Sequence, residues 1–113
     1  MWNRYFALLV MAALLRADYG YDVTFSRQVE ALGRRGDAAL GISTSGNSKN
    51  VIEAIIAARK LGISTIGLLG GDGGILKKEC NISIVVDSKD TPRVQESHSL
   101  IGHILCELIE DEY

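Results

Sequence analysis

Gly41-Ile42-Ser43-Thr44-Ser45-Gly46-Asn47-Ser48 carries four hydroxyl side chains and two glycines in eight residues. Before it, Ala38-Ala39-Leu40 reads as the body of a strand. After it, Val51-Ile52 through Leu61 reads as a helix. A strand, a hydroxyl-rich turn and a helix start, in that order, form an anion cradle. The first N–H groups of a helix have no intrahelical acceptor, and the helix dipole favours negative charge there. Serine and threonine add neutral donors, and glycine lets the backbone approach a ligand. The expected ligand is a phosphate monoester on a small molecule. The same residue types also build ordinary caps and turns. The position between strand and helix, where α/β proteins bind ligands, favours the cradle. Lys49 follows Ser48, but the spacing of a nucleotide-triphosphate P-loop is absent, so a sugar-phosphate cradle is expected instead.

Composition sets the bounds around this loop. The chain has 113 residues, 47% of them apolar and 6% aromatic, which suits one small domain with buried parallel strands. Its net charge is −2 and no basic stripe occurs, so a nucleic-acid partner is not expected. Cys80 and Cys106 match no metal spacing and sit in apolar surroundings. Both read as buried free thiols in a reducing cytoplasm. The apolar run Phe6 to Leu15 is shorter than the about 18 residues a membrane span needs. No A-x-A site follows it, only Arg16-Ala17-Asp18, so it reads as a buried element and not as a signal peptide. No membrane association is expected.

The rest of the chain is punctuated by glycine and proline. Phe25, Val29 and Leu32 recur at i, i+4 and i+7, which predicts an amphipathic helix over Val23 to Leu32, stopped by Gly33. Strands are expected at Ala38 to Ser43, Ser64 to Leu69 and Ile82 to Val86. Helices are expected from Ser48 or Asn50 to Lys60, over Ile75 to Glu79, and from Pro92 to about Glu110, with proline in the first helical turn. Trp2 to Leu15 has no period that separates helix from buried strand. The alternation predicts an α/β sheet of parallel strands joined by right-handed crossovers. Three clear strands make a thin sheet, so a partner subunit is expected to complete the core. Glu96, Glu107 and Glu110 read as a solvated helix face, and His98 as facing solvent.

At this point the residues resemble a known family. The serine-rich loop, Thr65-Ile66-Gly67-Leu68, Asp72-Gly73-Gly74, Asp90-Thr91-Pro92-Arg93-Val94-Gln95-Glu96 and Ile101-Gly102-His103-Ile104-Leu105-Cys106-Glu107 are similar to the phosphoheptose isomerases of the sugar isomerase (SIS) superfamily. Asp18-Tyr19-Gly20-Tyr21 and Phe25 to Gly33 share the likeness, which extends from Asp18 to Glu110. The loop alone points only to a SIS domain; Gln95 to His103 with its flanks is more specific. The resemblance implies a three-layer, flavodoxin-like SIS fold, a parallel sheet flanked by helices. It also implies the isomerisation of sedoheptulose 7-phosphate to D-glycero-D-manno-heptose 7-phosphate for surface glycans, with zinc and a homotetramer. Carried over residue by residue, Ser43, Thr44, Ser45 and Ser48 bind the substrate and its phosphate. Asp18 contacts substrate, although Ala17 stands where the family has asparagine. Gln95 and His103 are metal ligands, Gln95 also touching substrate, and His103 is the candidate for proton transfer.

Gln95 and His103 are eight positions apart on one expected helix, so they lie about 80° apart around its axis and about 12 Å along it. Joint ligation of one ion is strained unless the helix bends or two subunits contribute. The family's N-terminal helices, its first strand with an Asn-Gly-Gly-Ser loop, and a helix bearing a His and a Glu have no match here. The expected organisation is an atypical segment over 1–17 and a partial SIS domain over 18–113, the N-terminal part of the fold missing. Weak or no isomerase activity is expected of the chain alone. The other expectations are a SIS module that binds the replication initiator protein, and a sugar-phosphate sensor that keeps the cradle without the metal.

Overall fold

The computed structural model describes residues 22–112. The expectations for Trp2 to Leu15, for the 1–17 segment and for Asp18 lie outside these residues. In chain order the elements are α1 (Thr24–Leu32), β1 (Ala38–Ser43), α2 (Lys49–Lys60), β2 (Ser64–Gly70), α3 (Leu76–Glu79), β3 (Ile82–Val86) and α4 (Thr91–Glu112). The three strands are parallel in the order β1-β2-β3. Ser43 pairs with Leu69, and Gly70 with Val86. The α/β architecture inferred from the sequence is the one observed.

The core lies on one face of this sheet. Val51 and Ile55 from α2 meet Leu69 of β2 and Leu76 of α3, with Ile52, Cys80 and Val85 packed against them. Ile55, Leu69 and Leu76 are at most 1% exposed. Side chains alternate across a strand, so Leu68 points to the other face and is buried there as well. That second face is only partly covered: Leu40 and Ile42 of β1 and Ile82 of β3 remain exposed. The long helix α4 touches the sheet through Val94 and His98, its only buried residues, while Leu100, Ile104, Leu108 and Ile109 are exposed. Gly70 permits this docking, because a Cβ there would sit 2.7 Å from Val94 Cγ1 and would collide with the Thr44 carbonyl.

Three sequence-based expectations are corrected. His98 does not face solvent; it is 4% exposed and packs against β2. Cys106 is exposed, because α4 leaves the sheet before it reaches residue 106, and Cys80, at the end of α3, is only half-buried. In α1 the buried residues are Thr24, Ser26 and Gln28, while Phe25 and Leu32 are exposed. The apolar stripe of α1 is real, but burial falls on polar residues to either side of it: Thr24 and Gln28 share one side, and Ser26 lies about 160° from Gln28 around the axis. Gln28 satisfies its amide on the backbone, donating to the Thr24 carbonyl at 3.1 Å, which lets a polar side chain sit there without an orphaned donor. Glu96, Glu107 and Glu110 are exposed, as read from the sequence.

Candidate functional site

The serine loop leaves the C-terminal end of β1 and enters α2, which is the end of an open parallel sheet where α/β proteins bind ligands. Ser43 lies at its centre, 3% exposed. Its Oγ accepts the Gly46 N–H at 3.0 Å and, more weakly, the Ser48 N–H at 3.4 Å. A hydroxyl oxygen has two lone pairs and one proton. With both lone pairs engaged, Ser43 directs its proton to the Ser48 Oγ, 2.8 Å away. The Ser45 Oγ stands 3.5 Å off and accepts the Asn47 N–H at 3.1 Å. Ser43 therefore holds the turn together, and Ser48 and Ser45 keep protons to donate outward. Ser45 is exposed; Thr44 and Ser48 are half-buried.

The start of α2 adds backbone donors. Ser48 is the N-cap residue, in an extended conformation, but its side chain makes no capping bond. The Val51 N–H is taken by Asn50 Oδ1 at 2.9 Å, and the first helical bond runs from Ile52 N–H to the Ser48 carbonyl. Among the described residues Lys49 N–H and Asn50 N–H have no acceptor, which leaves them for an anion at the positive end of the helix dipole. Lys49 itself points its charge elsewhere, forming an exposed ion pair with Asp22 at 3.4 Å. The donors that this turn offers are thus neutral ones.

A second loop braces it. Asn47 Oδ1 accepts the Ile75 N–H at 2.9 Å, and the Gly46 carbonyl accepts the Leu76 N–H at 3.0 Å. Gly46 has φ +72, and an added Cβ would collide with the Gly73 carbonyl oxygen. Only glycine serves at such a position. Asp72 closes the partner loop by accepting the Gly74 N–H at 2.9 Å. The contact between Asn47 and Ile75 spans 28 positions and leaves no local signal in the sequence.

Gln95 and His103 are both exposed on α4. Among the described residues no group of three or more His, Cys, Asp or Glu stands together as a metal site would require. Zinc prefers about four ligands, so Gln95 and His103 do not hold it by themselves. His98, which the sequence reading set aside, is the histidine that contacts the sheet end next to the cradle: its Nε2 is 2.8 Å from the Leu69 carbonyl oxygen. Elsewhere, an open cleft of about 290 Å³ lined by Arg59, Gly62, Ile63, Ser64 and Asn81 lies at the opposite end of β2. Its one cation, Arg59, is tied to Glu79 at 3.0 Å. No helix of the described residues is long and apolar enough to cross a membrane.

A parallel α/β sheet with a hydroxyl-lined turn at the C-terminal end of its first observed strand defines a class of α/β proteins that bind ligands at that sheet end. Consistent with this, the SIS domain family model matches residues 4–70, and the chain belongs to that family. It is 59% identical over 95 residues to the phosphoheptose isomerase of Sulfurimonas denitrificans, covering 84% of this chain and 49% of that one. With the phosphoheptose isomerase of Clostridium acetobutylicum it shares 51% over 109 residues, 94% of this chain and 56% of the relative. Among solved structures, phosphoheptose isomerase from Neisseria gonorrhoeae superimposes with a TM-score of 0.83 at 43% identity, over 89% of this chain and 57% of that one. The chain spans about half the length of the curated relatives it matches.

Proposed function

We propose that this chain carries the substrate cradle of a sugar-phosphate isomerase that converts sedoheptulose 7-phosphate to D-glycero-D-manno-heptose 7-phosphate in the cytoplasm, supplying heptose for lipopolysaccharide and related surface glycans. The observation that carries the reading is the neutral-donor cradle at Ser43 to Asn50, in a chain 50–60% identical to proteins named phosphoheptose isomerase. The phosphate sits on Thr44, Ser45, Ser48 and the N–H groups of Lys49 and Asn50, with Ser43 holding the turn. Asp18 and Gln95 orient the sugar. His103 accepts the proton from the hydroxyl-bearing carbon beside the carbonyl; the electron pair left behind moves onto the carbonyl oxygen as the enediolate, that oxygen takes the hydroxyl's proton, and His103 returns its proton to the former carbonyl carbon.

Zinc enters this reading only as an ion shared between Gln95, His103 and donors outside the described residues. The exposed apolar side chains of α4 and of the sheet edges, Leu100, Ile104, Leu108, Leu40 and Ile82, support a homo-oligomer, a tetramer by family resemblance, whose subunits complete one another's sites.

A second reading is a sugar-phosphate-binding module without turnover. It is favoured by the lack of a metal-binding cluster among the described residues. Incubating the purified chain with sedoheptulose 7-phosphate, with and without added zinc, separates the two. Turnover that disappears in His103→Ala supports the isomerase. Binding without turnover, abolished by Ser48→Ala, supports the module. Neither binding nor turnover overturns both.

A further inference from the structure

Helix α4 is held to the sheet by its first two turns only. Val94, 1% exposed, lies against Gly70, and His98 lies one turn further on. Methyl packing of Val94 sets the distance between helix and sheet but tolerates rotation. His98 adds the directional contact, its Nε2 at 2.8 Å from the Leu69 carbonyl oxygen. A carbonyl only accepts, so Nε2 carries the proton and donates. The other ring nitrogen, Nδ1, is buried and has no hydrogen-bond partner among the described residues. A buried polar atom left unpaired costs about 1–3 kcal/mol. An apolar side chain would fill this position without that penalty, so packing alone does not account for a histidine. What histidine adds is a bond whose angle matters.

We propose that His98 is a positioning residue: its bond to the Leu69 carbonyl sets the rotation of α4 and thereby where Gln95 and His103 stand relative to the serine cradle. The acceptor is well placed for this, because Leu69 is the strand partner of Ser43, the residue that organises the cradle. One rung of the sheet thus carries the cradle on one strand and the anchor of α4 on the next. At 100° per residue, Gln95 lies about 60° and His103 about 140° from His98 in the same rotational sense. Both are therefore carried together by any turn of the helix about its axis. The inference rests on the reading of Gln95 and His103 as substrate-facing groups.

The test is made on the ¹⁵N-labelled full chain by nuclear magnetic resonance, comparing the natural sequence with His98→Gln, which keeps an N–H at the Nε2 position, and His98→Leu, which does not. The ring nitrogens of His98 are expected to show the Nε2–H form. Residual dipolar couplings of α4 amides relative to those of β2 are expected to be the same in His98→Gln and changed or averaged in His98→Leu, with the sheet couplings preserved in both. Sedoheptulose 7-phosphate is then added. The amides of Ser45 to Asn50 are expected to shift in all three proteins, and the side chains of Gln95 and His103 to respond in the natural chain and His98→Gln only. Unchanged α4 couplings in His98→Leu overturn the proposal. Loss of the sheet couplings in both variants also overturns it, in favour of a histidine needed only for folding. If no cradle amide responds to the sugar phosphate in any protein, the functional reading fails, while the couplings still decide whether His98 orients α4.

Discussion

Ser43 and Ser48 stand on either side of the turn that joins β1 to α2, with their hydroxyl oxygens 2.8 Å apart. The pair divides two tasks between chemically identical groups. Ser43 is buried and accepts two backbone N–H groups; Ser48 is half-buried, and its own proton has no acceptor among the described residues. Ser43→Ala leaves the Gly46 N–H only the Ser43 carbonyl at 3.2 Å and takes the weak acceptor from the Ser48 N–H, and is expected to lower stability by about 0.5–1.5 kcal/mol. Ser48→Ala, which removes no capping bond, should lower it less. Both are expected to weaken sugar-phosphate binding. Urea midpoints with titration calorimetry check this, and equal stability losses for the two variants would contradict the division.

The junction between the two loops depends on Gly46. Gly46→Ala imposes a Cβ at positive φ against the Gly73 carbonyl and is expected to destabilise the chain by more than about 1 kcal/mol. Amide hydrogen exchange locates the damage. The N–H groups of Ile75 and Leu76, which donate to Asn47 and Gly46, should lose protection, while those of β2 keep it. Protection loss spread evenly over the sheet would argue against a brace.

Core and surface apolar residues should separate cleanly. Ile55→Ala removes a side chain that is 1% exposed and is expected to cost about 2–5 kcal/mol. Phe25→Ala, at a position 39% exposed, should cost clearly less despite the larger deletion. Chemical denaturation of both variants measures this directly. An equal or larger loss at Phe25 would mean that the stripe on α1 is covered in solution.

The two thiols should differ in reactivity and in pH response. Burial raises the pKa of Cys80 above its ordinary value of 9.0, the neighbouring Glu79 carboxylate adds to the rise, and Arg59 opposes it. Cys106 is exposed and is expected to be alkylated first at neutral pH. Because the folded state holds the Cys80 proton more tightly than the unfolded state, its contribution to stability is complete below pH 9.0 and is lost as the pH rises through the folded value. Urea midpoints at pH 7 and pH 10 should fall less in Cys80→Ser than in the natural chain.

Much of the fold was legible along the chain. Strands Ala38–Ser43 and Ile82–Val86 occur where the apolar runs and turn residues indicated. The serine loop stands between strand and helix as read, because glycine and hydroxyl residues have strong local preferences. Helix α4 begins beside Pro92 and runs to Glu112, two residues beyond the expected end. These are properties of neighbouring residues, and a sequence displays its neighbours.

What the sequence by itself determined, then, is the alternation of helix and strand, the parallel sheet it demands and the place of the serine-rich turn between β1 and α2. The tertiary structure alone decided which side of each helix is covered and which polar atoms meet across the fold. His98 reads as a surface residue until Leu69, 29 positions away, supplies its acceptor. Phe25, Val29 and Leu32 have the periodicity of a buried stripe, yet α1 turns Thr24 and Gln28 inward. Nothing in the sequence joins Asn47 to Ile75, whose N–H it accepts. The physical reason is the same in each case. Periodicity records how a side chain is directed from its own backbone, whereas burial and hydrogen bonding depend on what another segment places opposite, and that is set only when the elements pack.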